Sequence, residues 1–155
     1  MSITCCYIKE QYFKDHSSFV KMLDPGNTAK QSHRSYLCLK ITNDGNDYYL
    51  PLRNNLGADV RPYGRIGHSV PSASRSDAGL DYRYALIVND SKYIEIPTTQ
   101  KIPNRQWNKI TADYNNIISE FTVYLSGFKR ALKEKTVLTE KRYIENHLLL
   151  ISLLN

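Results

Sequence analysis

Between Asn54 and Arg83 the chain gathers side chains that could handle a phosphate. The run from Arg61 reads RPYGRIGHSVPSASRSDAGLDYR and holds Arg61, Arg65, Arg75 and Arg83, the histidine His68, the serines Ser69, Ser72, Ser74 and Ser76, and the aspartates Asp77 and Asp81. Arginine forks bind phosphate oxygens in two places at once. Histidine titrates near neutral pH and can give or take a proton. Such a set suits metal-independent cleavage of RNA, in which the substrate's own 2′-hydroxyl is the nucleophile. The protein must then accept that proton, protonate the leaving 5′-oxygen and stabilise charge on the phosphate.

Other chemistries find little support. No CxxC, HExxH or paired-histidine spacing offers a zinc site, and no P-loop, GxGxxG turn or GxSxG elbow is present, so no metal or cofactor is expected. Asp77 and Asp81 are too few for two-metal nuclease chemistry. Serines close to His68 in sequence are weak evidence for a hydrolase triad.

The scaffold must hold this stretch in place. Gly and Pro recur through it, which excludes a regular helix or an uninterrupted strand. A connection from Asn54 to Arg83 far exceeds the ~12–15 residues of an ordinary loop, and loops of that length are disordered or functional. Its aromatics and the GLDY run into an apolar strand favour an ordered loop. Arg53 and the Asp81-Tyr82-Arg83 run anchor its ends, with Asp81 bonding backbone groups or Arg83.

Upstream, Ser2–Ile8 reads as a strand and Glu10–Leu23 as a short helix with Tyr12 or Phe13, His16, Phe19, Val20 and Leu23 at helical spacing. Asp24-Pro25-Gly26-Asn27 stops it. Thr28–Arg34 is polar and basic, with Lys30, His33 and Arg34. Ser35–Thr42 and Asp47–Leu52 read as a hairpin around Asn43-Asp44-Gly45-Asn46, whose residues tolerate positive φ. Pro51 predicts a strand end or an edge. Downstream, Tyr84–Val88 and Tyr93–Pro97 read as a second hairpin. From Pro103, with Asn104 as N-cap, apolar residues from Trp107 to Leu132 follow helical spacing. Thr139–Leu154 reads as a further C-terminal helix. The expected architecture is one α+β domain over residues 1–155, a small antiparallel barrel-like sheet with helices at both ends.

Composition fits this reading. The chain has 155 residues, 41% hydrophobic, enough for a core without staples. A net charge of +6 with 12 tyrosines favours an anionic partner, nucleic acid above all. Cys5, Cys6 and Cys38 lack metal spacing and read as buried thiols in a reducing compartment, Cys5 and Cys6 on opposite faces of a strand. No apolar run is long enough to span a membrane, and the N-terminus lacks a signal-peptide pattern, so a cytoplasmic protein is expected.

Each candidate has a second reading. His68 is a proton carrier or a solvated loop residue. His33 contacts RNA or is a surface residue, while His16 and His147 pack on amphipathic helices. Arg53, Arg61, Arg65 and Arg75 contact phosphate or solvate the loop. Tyr12 is functional or a core aromatic.

The order of parts resembles a known family. A short strand and helix precede SYLCLKI, a hairpin and YYLPLRNN; the long basic loop, GLDYRYALIV and IPNRQW opening a long helix follow. The motifs are a basic residue two before an aromatic-led strand (Arg34, Ser35, Tyr36), a Tyr-x-x-Pro-Leu strand (Tyr48 or Tyr49 to Leu52) and the Gly79-Leu80 entry to an apolar strand. This layout, from Ile3 to Lys133, resembles the toxin endoribonucleases of type III toxin–antitoxin systems, the ToxN/AbiQ group with its CptN and TenpN branches.

The resemblance implies a compact SH3-like barrel similar to the Kid/MazF toxins. It implies metal-independent cleavage of single-stranded RNA such as mRNA, with 2′,3′-cyclic phosphate and 5′-hydroxyl ends, and a role in phage defence. It implies inhibition by a repeated RNA pseudoknot antitoxin, with toxin and RNA closing into a cyclic assembly. A family tyrosine matches Tyr12 and a family lysine falls at Arg34. The family's Thr-Ser-Pro-Lys run after Pro-Leu is replaced by Arg53-Asn54-Asn55-Leu56, so the loop is expected to supply what that run does elsewhere. The resulting assignment places Arg34, Arg53 and Arg75 on the scissile phosphate, His68 in proton transfer, and Tyr12 and Ser69 on the sugar or phosphate. Lys30, His33, Asn54, Arg61, Arg65, Ser74 and Arg83 complete the RNA contacts. The rival readings are a non-catalytic RNA-binding module and a protein-interaction domain.

Overall fold

The computed structural model describes residues 3–16, 23–24, 27–40, 45–56, 66–99 and 101–133. Its centre is the hairpin of β2 (Tyr36–Lys40) and β3 (Asp47–Arg53), paired antiparallel from Tyr36↔Pro51 to Lys40↔Asp47. Gly45 enters β3 at φ 74°, a conformation that costs glycine little. β1 (Cys5–Ile8) pairs with β2, and β7 (Ile94–Glu95) pairs with β1. On the far edge of β3 lie β5 (Gly79–Asp81) and β6 (Leu86–Ile87), with β4 (Gly67–Ser69) outside β5. The sheet has seven strands and the path β4-β5-β3-β2-β1-β7, with β6 also on β3.

The protein is therefore α+β with an antiparallel sheet, but the sheet does not close. Among the described residues β4 and β7 end the path and do not pair with each other, which corrects the expectation of a barrel. A long helix, α3 (Asn104–Lys133), covers one face instead. Ile110, Ile117, Phe121, Tyr124, Leu125 and Phe128 share a core with Leu37, Leu39, Tyr48, Leu50, Leu80 and Tyr82. The opposite face packs Cys6, Ile8, Tyr36, Tyr49 and Leu86 against Tyr12 and Phe13 of α1 (Glu10–Asp15). Cover on both faces explains why Tyr48 through Pro51 are all buried, where a one-sided strand would alternate. It also places Cys5 and Cys6 in different cores, as their adjacency predicted.

Several boundaries differ from the sequence reading. Of the expected helix Glu10–Leu23, α1 occupies Glu10–Asp15 and residues 17–22 lie outside the described set. Thr28–Ser32 is a short helix, α2, capped by the Asn27 side chain accepting from Lys30 N at 3.0 Å. The stretch read as irregular loop contains the β4–β5 hairpin, followed by a 3-10 turn at Tyr82–Tyr84. The expected hairpin of Tyr84–Val88 with Tyr93–Pro97 does not form: β6 joins β3, while β7 joins β1. α3 begins at Asn104, which is the first helical residue rather than the N-cap expected of it, and Trp107 N is bonded to Pro103 O at 3.0 Å. The further C-terminal helix, Thr139–Leu154, lies outside the described residues.

Pro51 does not end β3. Leu52 N donates to Ser35 O at 3.0 Å, so the N–H groups of alternate residues point to β2 and the Pro51 nitrogen points to the other edge. There it falls between the Tyr49↔Leu86 and Leu52↔Leu80 pairs, opposite the 3-10 turn. Proline removes a donor where the neighbouring strand is interrupted, so no ladder bond is lost.

Candidate functional site

Four segments far apart in sequence meet around a cleft of about 630 Å³. α2 and the entry to β2 supply Lys30, His33, Arg34 and Ser35. The exit of β3 supplies Leu52 and Asn54. The tip of the β4–β5 hairpin supplies Ser72, Ser74 and Arg75. Lys101, three residues before α3, and Gln106 in its first turn close it. Among the described residues no carboxylate is in the lining, and Asp24 behind it pairs with Lys30 and Arg34, which leaves Arg75 and Lys101 as exposed lining cations without a carboxylate partner there.

Local structure explains the wall. Ser72 and Arg75 exchange backbone bonds at 3.0 and 3.3 Å, and Ser72 Oγ accepts from Arg75 N at 3.0 Å, which makes the hairpin tip a closed turn. The buried Gln106 donates Nε2 to Val70 O at 2.8 Å, joining the base of this tip to α3. On the other wall Asp24 takes the left-handed conformation at φ 53°. Its carboxylate accepts from Arg34 Nη2 at 2.8 Å and lies 3.2 Å from Lys30 Nζ. Burial alone would raise the Asp24 carboxyl, but hydrogen bonding and charge from Arg34, then Lys30, hold it below the usual carboxylate range. Arg34 also donates Nη1 to Leu52 O at 3.2 Å, and its Nε is buried without a partner among the described residues. Arg34 is thus a fixed cation, whereas Lys30, His33, Arg75 and Lys101 are exposed and face solvent.

Lys30, His33, Arg34, Asn54, Ser74 and Arg75 are therefore brought together around one cleft. Other candidates are placed elsewhere. His68 does not line the cleft. It sits on β4 with its ring 10% exposed, Nδ1 3.0 Å from Glu120 Oε1 and Nε2 2.9 Å from Asp113 Oδ2. Tyr82 donates its hydroxyl to the same Glu120 oxygen at 2.9 Å, and Lys109 Nζ lies 2.9 Å from Asp113. His68 is neither a solvated loop residue nor a cleft residue but the link between β4 and α3. Its burial follows from the strand: residues on one side of β4 face the helix, and Ser69, next in line, is exposed on the other.

Tyr12 is a core aromatic, packed edge-on to Phe13 and Tyr93 at 5.3 and 5.4 Å, and burial pushes its hydroxyl well above the usual tyrosine value. His16 packs on the Tyr12 ring with centroids 4.3 Å apart. Arg53 and Arg83 turn away from the cleft to share Asp81, which is fully buried. That aspartate also accepts from Arg83 N at 3.1 Å, the backbone role expected of it. Arg61 and Arg65 lie outside the described residues.

Lys101 and Gln106 were not anticipated, because they stand apart from the basic loop in sequence and join it only through the fold. Asp113 and Glu120 carried a legible sign: they are seven residues apart, on one side of the apolar stripe of α3. Among the described residues no group of histidine, cysteine and carboxylate side chains is arranged to hold a metal ion, and no helix is long and apolar enough to cross a membrane.

Comparison of the chain with protein-family models, with curated proteins and with solved structures gives no match.

Proposed function

We propose that the cleft binds single-stranded RNA and that the protein cleaves it without metal, as a toxin endoribonuclease of the type III kind. The observation that supports this reading is the convergence of Lys30, His33, Arg34, Arg75 and Lys101 on one cleft, where Asp24 is the one carboxylate paired with these cations among the described residues. A polyanion gains from such a field, and single strands reach grooves that a duplex cannot enter.

In the proposed reaction the 2′-oxygen of the substrate attacks the adjacent phosphorus and loses its proton to a base. The bond to the 5′-oxygen breaks and that oxygen takes up a proton. The products are a 2′,3′-cyclic phosphate and a 5′-hydroxyl. Arg75, Lys101 and Lys30 stabilise charge on the non-bridging oxygens. His33, rather than His68, is the imidazole in the cleft and takes the proton-transfer role. Ser74 and Asn54 bond the sugar or phosphate. On this reading an antitoxin RNA pseudoknot occupies the same cleft and closes with the toxin into a cyclic assembly in the cytoplasm. The SH3-like relationship to the Kid/MazF toxins belongs to the same proposal, with α3 taking the place of barrel closure.

The test is incubation of purified protein with mixed RNA in EDTA, followed by end-group analysis. Discrete fragments with cyclic phosphate ends, lost in His33→Ala and Arg75→Ala, are the expected result. Expression of the chain without a matching antitoxin RNA arrests growth on this reading.

One observation favours a second reading, a non-catalytic RNA-binding module. His68 is clamped on α3 and Tyr12 is in the core, so two groups assigned to catalysis are absent from the cleft. Intact RNA after incubation with protein freed of bound nucleic acid, together with salt-dependent RNA affinity, would establish the module in place of the enzyme.

A further inference from the structure

We infer that Arg53, seated on the Tyr84 ring, forms a second phosphate subsite beside the cleft and takes the phosphodiester next to the one bound there. The inference rests on the RNA-binding reading and extends it from one phosphate to a directed strand.

Arg53 stands between Leu52 and Asn54, both of which line the cleft. Successive Cα atoms are ~3.8 Å apart, so its backbone is at the cleft's rim. Its side chain leaves toward Asp81, to which Nη1 donates at 2.9 Å. Asp81 is fully buried and also accepts from Arg83 Nε at 3.0 Å and Nη2 at 2.9 Å. One carboxylate between two guanidinium groups neutralises one of them and leaves a positive charge.

The two arginines divide the work. Arg83 is 12% exposed and also donates to Leu56 O at 3.3 Å, which makes it the buried brace. Arg53 is 28% exposed and commits Nη1 to the aspartate, leaving guanidinium donors toward solvent. Both guanidinium carbons lie over the Tyr84 ring, 5.3 Å away for Arg53 and 5.8 Å for Arg83. A guanidinium held by a carboxylate on one edge and by an aromatic face below has lost its rotamer freedom before any ligand arrives. Such preorganisation favours a fork that binds phosphate oxygens. A nucleic-acid strand leaving the cleft over the β3 exit meets this group next.

The experiment measures equilibrium binding of a fluorescent 2′-O-methyl RNA hexanucleotide, which cannot be cleaved, and of the corresponding dinucleotide with a single phosphodiester, across a salt series. For the hexanucleotide Arg53→Gln is expected to weaken binding three- to tenfold and to reduce the log–log salt slope by about 0.7, the single-strand value for one phosphate contact. Arg53→Lys keeps the charge and the Asp81 partner and restores the slope. Arg75→Ala weakens both ligands, whereas Arg53→Gln leaves dinucleotide affinity unchanged.

Equal salt slopes for the wild type, Arg53→Gln and Arg53→Lys, with Arg75→Ala still weakened, would overturn the subsite and leave the cleft reading standing. Wild-type protein without salt-dependent affinity for the hexanucleotide would overturn the cleft reading itself. Should Arg53→Gln fail to fold, Tyr84→Leu replaces it. That variant removes the aromatic seat and is expected to weaken the hexanucleotide alone; unchanged affinity overturns the subsite.

Discussion

The Nε2 atom of His68 lies 2.9 Å from the Asp113 carboxylate, across 45 residues of sequence. With Nδ1 3.0 Å from Glu120 as well, both ring nitrogens face carboxylate oxygens, and an imidazolium can donate to both at once. The pair fastens β4, an end strand of the sheet, to α3, and thereby supports the hairpin whose tip forms one wall of the cleft.

Replacing His68 by glutamine tests that role. The amide cannot reach both carboxylates with the geometry of the ring, so the contacts to Glu120 and Asp113 are not both kept. A loss of about 2–3 kcal/mol in urea unfolding is expected. On the proposed endoribonuclease reading, RNA cleavage by the variant stays within about tenfold of wild type at a temperature where both proteins are folded. A fall of ~10²–10⁴-fold with the fold intact, the scale of losing a general acid or base, would return His68 to the chemistry.

The Asp113 contact also sets a pH dependence. Hydrogen bonds from His68 and then Lys109 hold the Asp113 carboxyl below its ordinary value of 3.8. As the pH falls, the unfolded chain takes up this proton before the folded one. The stabilisation is complete above the ordinary value and is lost as the pH drops through the lowered folded value. Asp113→Asn is therefore expected to be about 1–2 kcal/mol less stable than wild type at pH 7, with the gap narrowing as the pH falls below the ordinary value of 3.8. Thermal unfolding at the two pH values checks it.

Arg75 and Lys101 are exposed on the cleft, so on the proposed reading their loss weakens RNA binding without costing the fold. Arg75→Ala and Lys101→Ala are each expected to reduce the RNA salt slope by about 0.7 and to leave unfolding free energy within about 0.5 kcal/mol of wild type. A salt titration of RNA binding beside a urea curve reads both.

Gly79 allows β4 and β5 to approach closely. A Cβ there would overlap the His68 carbonyl and crowd Leu56 Cδ1. Gly79→Ala is expected to destabilise by about 1–3 kcal/mol and to speed exchange of the β4 amides. Hydrogen exchange by NMR locates the effect: a uniform change over all strands would mean that the hairpin is not the weakened unit.

The buried thiols should be inert. Burial, with a smaller contribution from Cys38, pushes Cys5 up to about 12, and burial does the same for Cys6. Little thiolate then exists at pH 8. In native protein iodoacetamide is expected to modify the half-buried Cys38 first, with Cys5 and Cys6 reacting only in urea. Mass spectrometry of the alkylated peptides measures the order.

Local signals carried much of the fold. The Asn43-Asp44-Gly45-Asn46 turn signal between two strand-like runs predicted the β2–β3 hairpin, and the apolar stripe from Trp107 predicted α3, because both depend on near neighbours. Pro51 misled, since whether a proline costs a ladder bond depends on what lies opposite it. The β4–β5 hairpin was missed because its strands are three residues long and its glycines read as breakers until close strand packing accounts for them. For the cleft, charge and residue type were enough to single out Lys30, His33, Arg34, Asn54, Ser74 and Arg75, but not to exclude Tyr12 or Arg53.

By itself the sequence determined an α+β chain with a central hairpin, a long amphipathic helix and a basic character suited to an anionic partner. These follow from periodicity, turn chemistry and charge, which act locally or as sums. Tertiary structure decided which cations share one cleft, that His68 is fastened to Asp113 and Glu120, and that Asp81 gathers Arg53 and Arg83. Those outcomes depend on the direction each side chain takes from a strand and on which distant surface it meets. Such relationships exist only once the sheet and α3 have packed.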